Sequence, residues 1–140
     1  MNEFYWPIRI YYEYTDLTGV VYHSNYLNFF ERARTEWLRK FGFEQDILKE
    51  KYDLVFVVRS LTLDFRRPAK FNDLLVIASE LLEPGRASLE FRQELRKSEQ
   101  GEVLCSATIK LACIELSSFR PCVLPKPLMK EMINARSITD

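Results

Sequence analysis

The chain is short of most features that announce a function by composition. Histidine is nearly missing, with His23 the only one. Cysteine is scarce: Cys105, Cys113 and Cys122 are odd in number, lack Cys-x-x-Cys spacing, and two fall inside a strand-like segment. That fits small core residues in a reducing compartment better than a disulfide framework or zinc site. Neither sign of charge is in excess, since 20 basic residues face 20 acidic ones and the formal net charge is zero. No global field therefore draws the protein to nucleic acid or an anionic membrane, and charge recognition must be local. No apolar run is longer than that from Leu54 to Val58, far short of a membrane span. The opening Met-Asn-Glu-Phe-Tyr-Trp-Pro has no basic stretch followed by an apolar one, so the expected location is cytoplasmic. Repeats, low-complexity tracts and linkers are absent too, which leaves residues 1–140 to read as one domain.

What is present is enough for a core: 47% of the 140 residues are hydrophobic. From residue 5 to 14, Trp6, Ile8, Ile10, Tyr12 and Tyr14 alternate with Arg9, Tyr11 and Glu13, which predicts a first strand with Tyr12 facing the core. After a turn at Asp16 to Gly19, Ser24 or Asn25 can cap a helix. Along it Tyr26, Phe29, Phe30, Ala33, Trp37, Leu38 and Phe41 recur at helical spacing as far as Gly42. A stripe this bulky needs a large apolar wrapping, and a curved sheet can supply it. A short helix over 44–51 follows, then strands over 55–65, 74–82, 87–95 and 103–114, and a terminal helix over 125–135. The fold class is thus α+β, a five-stranded antiparallel sheet curled around a long central helix. Five strands leave two open edges, which predicts pairing with a second copy, as a homodimer at least.

The chemistry concentrates between Tyr12 and Tyr26. Asp16 is ionised near neutrality and can attack an acyl carbon or deprotonate water. The helix start at His23, Ser24 and Asn25 offers unpaired N–H donors and the positive end of a dipole, which suit the oxyanion of a thioester carbonyl. His23 can add a hydrogen bond, and Tyr12 can orient the Asp16 carboxylate. On the residues alone the plainer readings stand beside this one: Asp-x-x-Gly is also a common Asx turn, a lone histidine before a helix is also a cap, and Tyr12, Tyr22 and Tyr26 are also core or interface aromatics.

The run Asp16-Leu17-Thr18-Gly19-Val20-Val21-Tyr22-His23-Ser24-Asn25-Tyr26, followed by Phe30-Glu31-Arg32-Ala33-Arg34-Thr35-Glu36, resembles the hot-dog-fold acyl-CoA thioesterases. Within them it is similar to the Tol-Pal-associated subfamily, which is like 4-hydroxybenzoyl-CoA thioesterase. The likeness continues through Phe65-Arg66-Arg67-Pro68-Ala69, Asp73 and Gly85-Arg86-Ala87-Ser88, so it covers about residues 5–128. The resemblance implies that Asp16 is the catalytic carboxylate, that the His23 N–H polarises the thioester carbonyl, and that Tyr12 is the subfamily's tyrosine four positions before the aspartate. It also implies dimers that often pair into tetramers, with sites at the subunit boundary. Leu17-Thr18 departs from the pattern, many relatives having smaller residues there.

The expected activity is therefore hydrolysis of acyl-CoA to free acid and coenzyme A, with no metal and no cofactor beyond the coenzyme A of the substrate. The substrate contacts expected are Gly19, Val20 and Ser24 at the helix start, Arg59 and Ser60 in mid-strand near a pantetheine channel or subunit contact, and Arg66, Arg86 and Ser88. Arg66 and Arg86, with Arg67 and Lys70, lie in or beside loops where they can meet the nucleotide phosphates. Acyl carrier protein is a further expected partner. Two other functions fit the same plan: a dehydratase acting on 3-hydroxyacyl thioesters, and a non-catalytic module binding acyl thioesters or acyl carrier protein.

Overall fold

Phe4 and Ile8 point into the core from β1 (Phe4–Arg9) in the computed structural model, which describes residues 3–136. The strand stops earlier than its alternation predicts. β3 (Leu74–Leu81) begins at the residue paired with Arg9, so nothing is left for residues 11–14 to pair with. Ile10 still exchanges hydrogen bonds with the 72–73 turn, after which Tyr12–Tyr14 closes into a 3-10 turn. Tyr12 is consequently 74% exposed, its ring edge-on to Phe71, and does not face the core as expected.

Helix α1 (Asn25–Lys40) buries Tyr26, Phe29, Phe30, Ala33, Trp37 and Leu38 on one stripe. At roughly 1.5–3 kcal/mol for each fully buried large side chain, that stripe is a main source of stability. It ends where Gly42, at φ 89°, lets its own N–H reach the Arg39 carbonyl and the Phe43 N–H reach the Leu38 carbonyl. This is the double-bonded stop that a left-handed glycine permits. Helix α2 (Gln45–Tyr52) and Asp53, also left-handed, lead into β2 (Leu54–Phe65).

β4 (Ser88–Arg96) and β5 (Val103–Glu115) complete an antiparallel sheet of order β1-β3-β4-β5-β2. This is the expected hot-dog plan with one addition. The two-residue strand β6 (Arg120–Pro121) pairs with the end of β5, which overruns the start of β4 and leaves an edge there. Helix α3 (Lys126–Arg136) closes the chain with Leu128, Met132 and Ala135 buried.

The registers define two ends of the sheet. Arg9, Leu74, Arg96, Val103 and Phe65 share one; Phe4, Leu81, Ser88, Glu115 and Leu54 share the other. The chain passes from β1 to α1 at the first end, and α3 packs at the second, where the Arg136 Nε donates to the Leu81 carbonyl at 3.1 Å.

One polar cluster lies under the sheet. Arg34, on the apolar stripe of α1 and 7% exposed, donates to Gln93 Oε1 at 3.1 Å. The Gln93 Nε2 donates in turn to the Phe30 carbonyl at 3.0 Å and to Ser79 Oγ at 2.9 Å. Burial pulls the guanidinium down to about 10, still protonated at neutral pH.

Candidate active site

A short hairpin carries Asp16 to the start of α1. Thr15 bridges Val21, the Asp16 N–H donates to the Val20 carbonyl at 3.0 Å, and the Tyr22 N–H donates to the Tyr14 carbonyl at 2.9 Å. Its tip is the turn Asp16 to Gly19, closed by the Gly19 N–H on the Asp16 carbonyl at 3.1 Å, with Gly19 at φ 82°. The hairpin is strapped to the segment after β2: Val20 bridges Lys70, the Val21 N–H donates to the Ala69 carbonyl, and the Phe71 N–H donates to the Gly19 carbonyl. The first turn of α1 fastens both parts. The Asn25 Nδ2 donates to the Tyr14 carbonyl at 2.9 Å, and the buried Tyr26 hydroxyl accepts the Ala69 N–H at 3.2 Å. Asp16, Gly19, Val20, His23 and Ser24 are thus gathered at one end of the sheet.

The Asp16 carboxylate is exposed and held by one oxygen. Its Oδ1 accepts the Thr18 hydroxyl at 2.5 Å and the Thr18 N–H at 2.8 Å, whereas Oδ2 has no partner among the described residues. The Thr18 hydroxyl, then the Thr18 N–H, hold the carboxyl below its usual value, so Asp16 is ionised at neutral pH. The Asx turn thus fixes one carboxylate oxygen and leaves the other without a partner among the described residues.

Ser24 occupies the N-cap position, at φ −68° and ψ −22°, but its hydroxyl makes no capping bond. The Asn25, Tyr26 and Leu27 N–H groups turn back to Tyr22, His23 and Ser24 carbonyls. The N–H groups of His23 and Ser24 have no acceptor among the described residues, and both residues are exposed. A helix start of this kind holds two free donors at the positive end of the dipole, ready for an oxyanion. The His23 imidazole lies against the Tyr22 ring, with centroids 4.4 Å apart.

The remaining expected residues scatter. Arg59 sits at the bulge between Val58 and Ser60 on the open edge of β2, and both it and Ser60 are exposed. Arg66 pairs with Asp64 at 3.0 Å beside the hairpin end. Arg86 and Ser88 belong to the opposite end of the sheet, so one protomer does not bring them to Asp16. Tyr12 has no bond to the Asp16 carboxylate among the described residues; only its backbone carbonyl takes part, accepting from Thr15. A cleft of about 500 Å³ adjoins the strap, with Arg67, Lys70, Asp73, Lys97 and Glu102 in its wall. Glu102 in that wall pairs with both Arg67 at 2.9 Å and Lys97 at 3.6 Å. Among the described residues no group of three His, Cys, Asp or Glu side chains is placed to hold a metal, and no helix is long and apolar enough to cross a membrane. The Asn25 and Tyr26 fasteners escaped the sequence reading, which assigned them to a cap and to the core.

The chain is 46% identical over 125 residues to the acyl-CoA thioesterase YbgC of Haemophilus influenzae, covering 89% of this chain and 90% of that one. It is 40% identical over 128 residues to the acyl-CoA thioester hydrolase YbgC of Escherichia coli O6:H1, covering 91% and 94%. Among solved structures, a probable thioesterase from Bartonella henselae superposes with a TM-score of 0.81 at 35% identity, covering 88% of this chain and 99% of that one. The model of the thioesterase superfamily matches residues 18–104, opening two positions after Asp16, and to that superfamily the chain belongs.

Proposed function

We infer that this protein hydrolyses acyl-CoA thioesters to a free carboxylic acid and coenzyme A, with Asp16 as the acting carboxylate. The observation that carries the reading is the pair of unspent N–H groups at His23 and Ser24, set at the start of α1 beside a hairpin whose Asp16 keeps one oxygen free. The thioester carbonyl accepts from those N–H groups, and negative charge gathers on its oxygen as the acyl carbon becomes tetrahedral. Asp16 Oδ2 either attacks that carbon, giving an acyl anhydride and releasing the thiolate before water cleaves the anhydride, or removes a proton from an attacking water. The tetrahedral intermediate collapses in both cases to acid and thiol. No resident cofactor is required; coenzyme A arrives as part of the substrate.

The same reading calls for a second copy. Of the two sheet edges, β1 is blunted by Pro7, whereas β2 has no proline and exposes Val58, Leu61 and Phe65. A two-fold through the middle of β2 pairs the two copies antiparallel and covers those side chains. Support for acyl-CoA as the substrate comes from the names of the relatives at 40% and 46% identity.

Asp16→Asn is the direct test. The amide can still accept from Thr18, so the hairpin keeps its shape, and free-thiol release from acyl-CoA is expected to fall by about 10³-fold or more with the thermal midpoint unchanged. Near-full activity in that variant rejects the assignment.

A further inference from the structure

The turn that carries the two free N–H groups hangs from a single carbonyl. The Tyr14 carbonyl accepts the Tyr22 N–H at 2.9 Å where the turn begins and the Asn25 Nδ2 at 2.9 Å where it ends, and the Asn25 N–H closes the turn on the Tyr22 carbonyl at 2.9 Å. His23 and Ser24 lie between those two ties, and Tyr14 stands two positions before Asp16. Tyr14 is itself held to the helix, its ring edge-on to Phe29 with centroids 4.9 Å apart. One of the two ties is a backbone N–H; the other is the half-buried side chain of Asn25.

Asn25 is used against its ordinary preference. Asparagine favours the cap of a helix, where its side-chain oxygen takes up an N–H of the first turn, and it is a poor former of the turns beyond. Here it is the first residue of α1 and its amide reaches back to the hairpin, while Ser24 at the cap makes no side-chain bond and no acidic residue occupies the first turn. The helix start is left uncapped, and a residue suited to capping secures the hairpin instead. Natural proteins break such local rules chiefly at functional sites. The residue type is fixed by the same contact. A side chain that faces a carbonyl must offer a donor, so Nδ2 is turned to Tyr14 and Oδ1 is left to accept from the Asn28 Nδ2 at 3.4 Å. An aspartate of the same shape has no donor to offer there.

Resting on the acyl-CoA reading, we propose that Asn25 is a positioning residue for the hydrolysis: by tying the end of the turn to Tyr14, it sets the His23 and Ser24 N–H groups against Asp16 so that carboxylate and donors act on one acyl carbon. Asn25 acts through those groups and does not touch the substrate. Without the tie the turn swings on its remaining attachment at Tyr22, and a misplacement of about 1 Å costs up to about 100-fold in rate.

Asn25→Ala and Asn25→Asp both remove the donor. The aspartate keeps the shape and adds a negative charge at the helix start, which favours the folded helix, so its thermal midpoint should equal or exceed that of Asn25→Ala. Initial rates of thiol release from acyl-CoA should show kcat lowered by about 10- to 100-fold in both variants, with KM within about threefold of the wild type. The decisive measurement repeats Asn25→Ala on a His23→Pro background, which lacks one of the donors that the tie holds in place. There the same substitution should cost about threefold or less in kcat. A residue that only supports the fold costs the same factor on both backgrounds. An equal loss on both, a loss confined to KM, or a kcat within about threefold of the wild type in Asn25→Ala overturns the assignment. Asp16→Asn separates this result from the reading beneath it: an enzyme silenced by Asp16→Asn yet indifferent to Asn25→Ala refutes the positioning role alone, whereas hydrolysis that survives Asp16→Asn refutes the acting carboxylate.

Discussion

Replacing His23 by proline deletes a backbone N–H together with the imidazole, whereas His23→Ala deletes the imidazole and keeps the N–H, so the ratio between the two variants isolates the donor. The position is unusually suited to the exchange. His23 is the second residue of the turn Tyr22 to Asn25, closed by the Asn25 N–H on the Tyr22 carbonyl at 2.9 Å, and proline is favoured at that place in a turn. The His23 N–H has no acceptor among the described residues, so its loss breaks no hydrogen bond within them. The stability difference between the variants should therefore stay within about 1 kcal/mol, a range set by the reduced freedom of the unfolded chain. Catalysis is another matter. Losing one oxyanion donor typically costs about 10²- to 10³-fold in kcat, or about 2.7–4 kcal/mol of barrier. His23→Ala should lose far less, because the imidazole is exposed and packs only on Tyr22. Initial rates of thiol release across acyl-CoA concentrations give kcat and KM for both, with urea unfolding at fixed protein concentration as the control. If His23→Pro keeps kcat within about threefold of His23→Ala while the two are equally stable, the helix start is not the oxyanion site.

Three other outcomes follow from particular contacts. Thr18→Val removes the hydroxyl that most lowers the Asp16 carboxyl; the carboxyl should rise toward its usual value, moving the acid limb of kcat/KM to higher pH and leaving rates near neutrality alike, and an unmoved limb means that Asp16 does not titrate in catalysis. Gln93→Leu gives up bonds to Phe30 and Ser79 and strands the buried Arg34 guanidinium, so urea unfolding should show a loss of about 3–5 kcal/mol, recovered in part by adding Arg34→Met; a loss under about 1 kcal/mol contradicts that account. Val58→Lys with Leu61→Lys places two charges on the open β2 edge and should shift sedimentation from dimer to monomer, whereas an unaltered dimer puts the interface elsewhere.

The sequence revealed most where the periodic signal and the buried surface coincide. The aromatic stripe from Tyr26 to Leu38 and the stop at Gly42 define α1 within a residue or two, because the glycine is the one residue there free to take φ 89°. Alternation misled at Tyr12 for an equally physical reason: period two marks a strand only while a neighbour supplies hydrogen bonds, and β3 supplies none beyond Leu74. β6 carries no pattern of its own, since Arg120 and Pro121 are ordered by the overhang of β5. Arg34 was legible in principle, for it falls on the stripe between Phe30 and Trp37, and a charge at such a position demands a partner; the sequence does not say that the partner is Gln93, 59 residues away.

The candidate site divides along the same line. Asp16, Gly19, Val20, His23 and Ser24 lie within nine positions of one another, and local turns are sufficient to gather them, which is why a short motif carried so much. Arg59, Arg86 and Ser88 are distant in the chain, and their relation to Asp16 depends on strand order and on which edge stays open. A single protomer sets Arg86 at the wrong end of the sheet for its own Asp16 while leaving β2 unpaired. The proposed two-fold through β2 accounts for both facts by one operation, since it pairs the open edge and sets the Arg86 end of one copy beside the Asp16 end of the other.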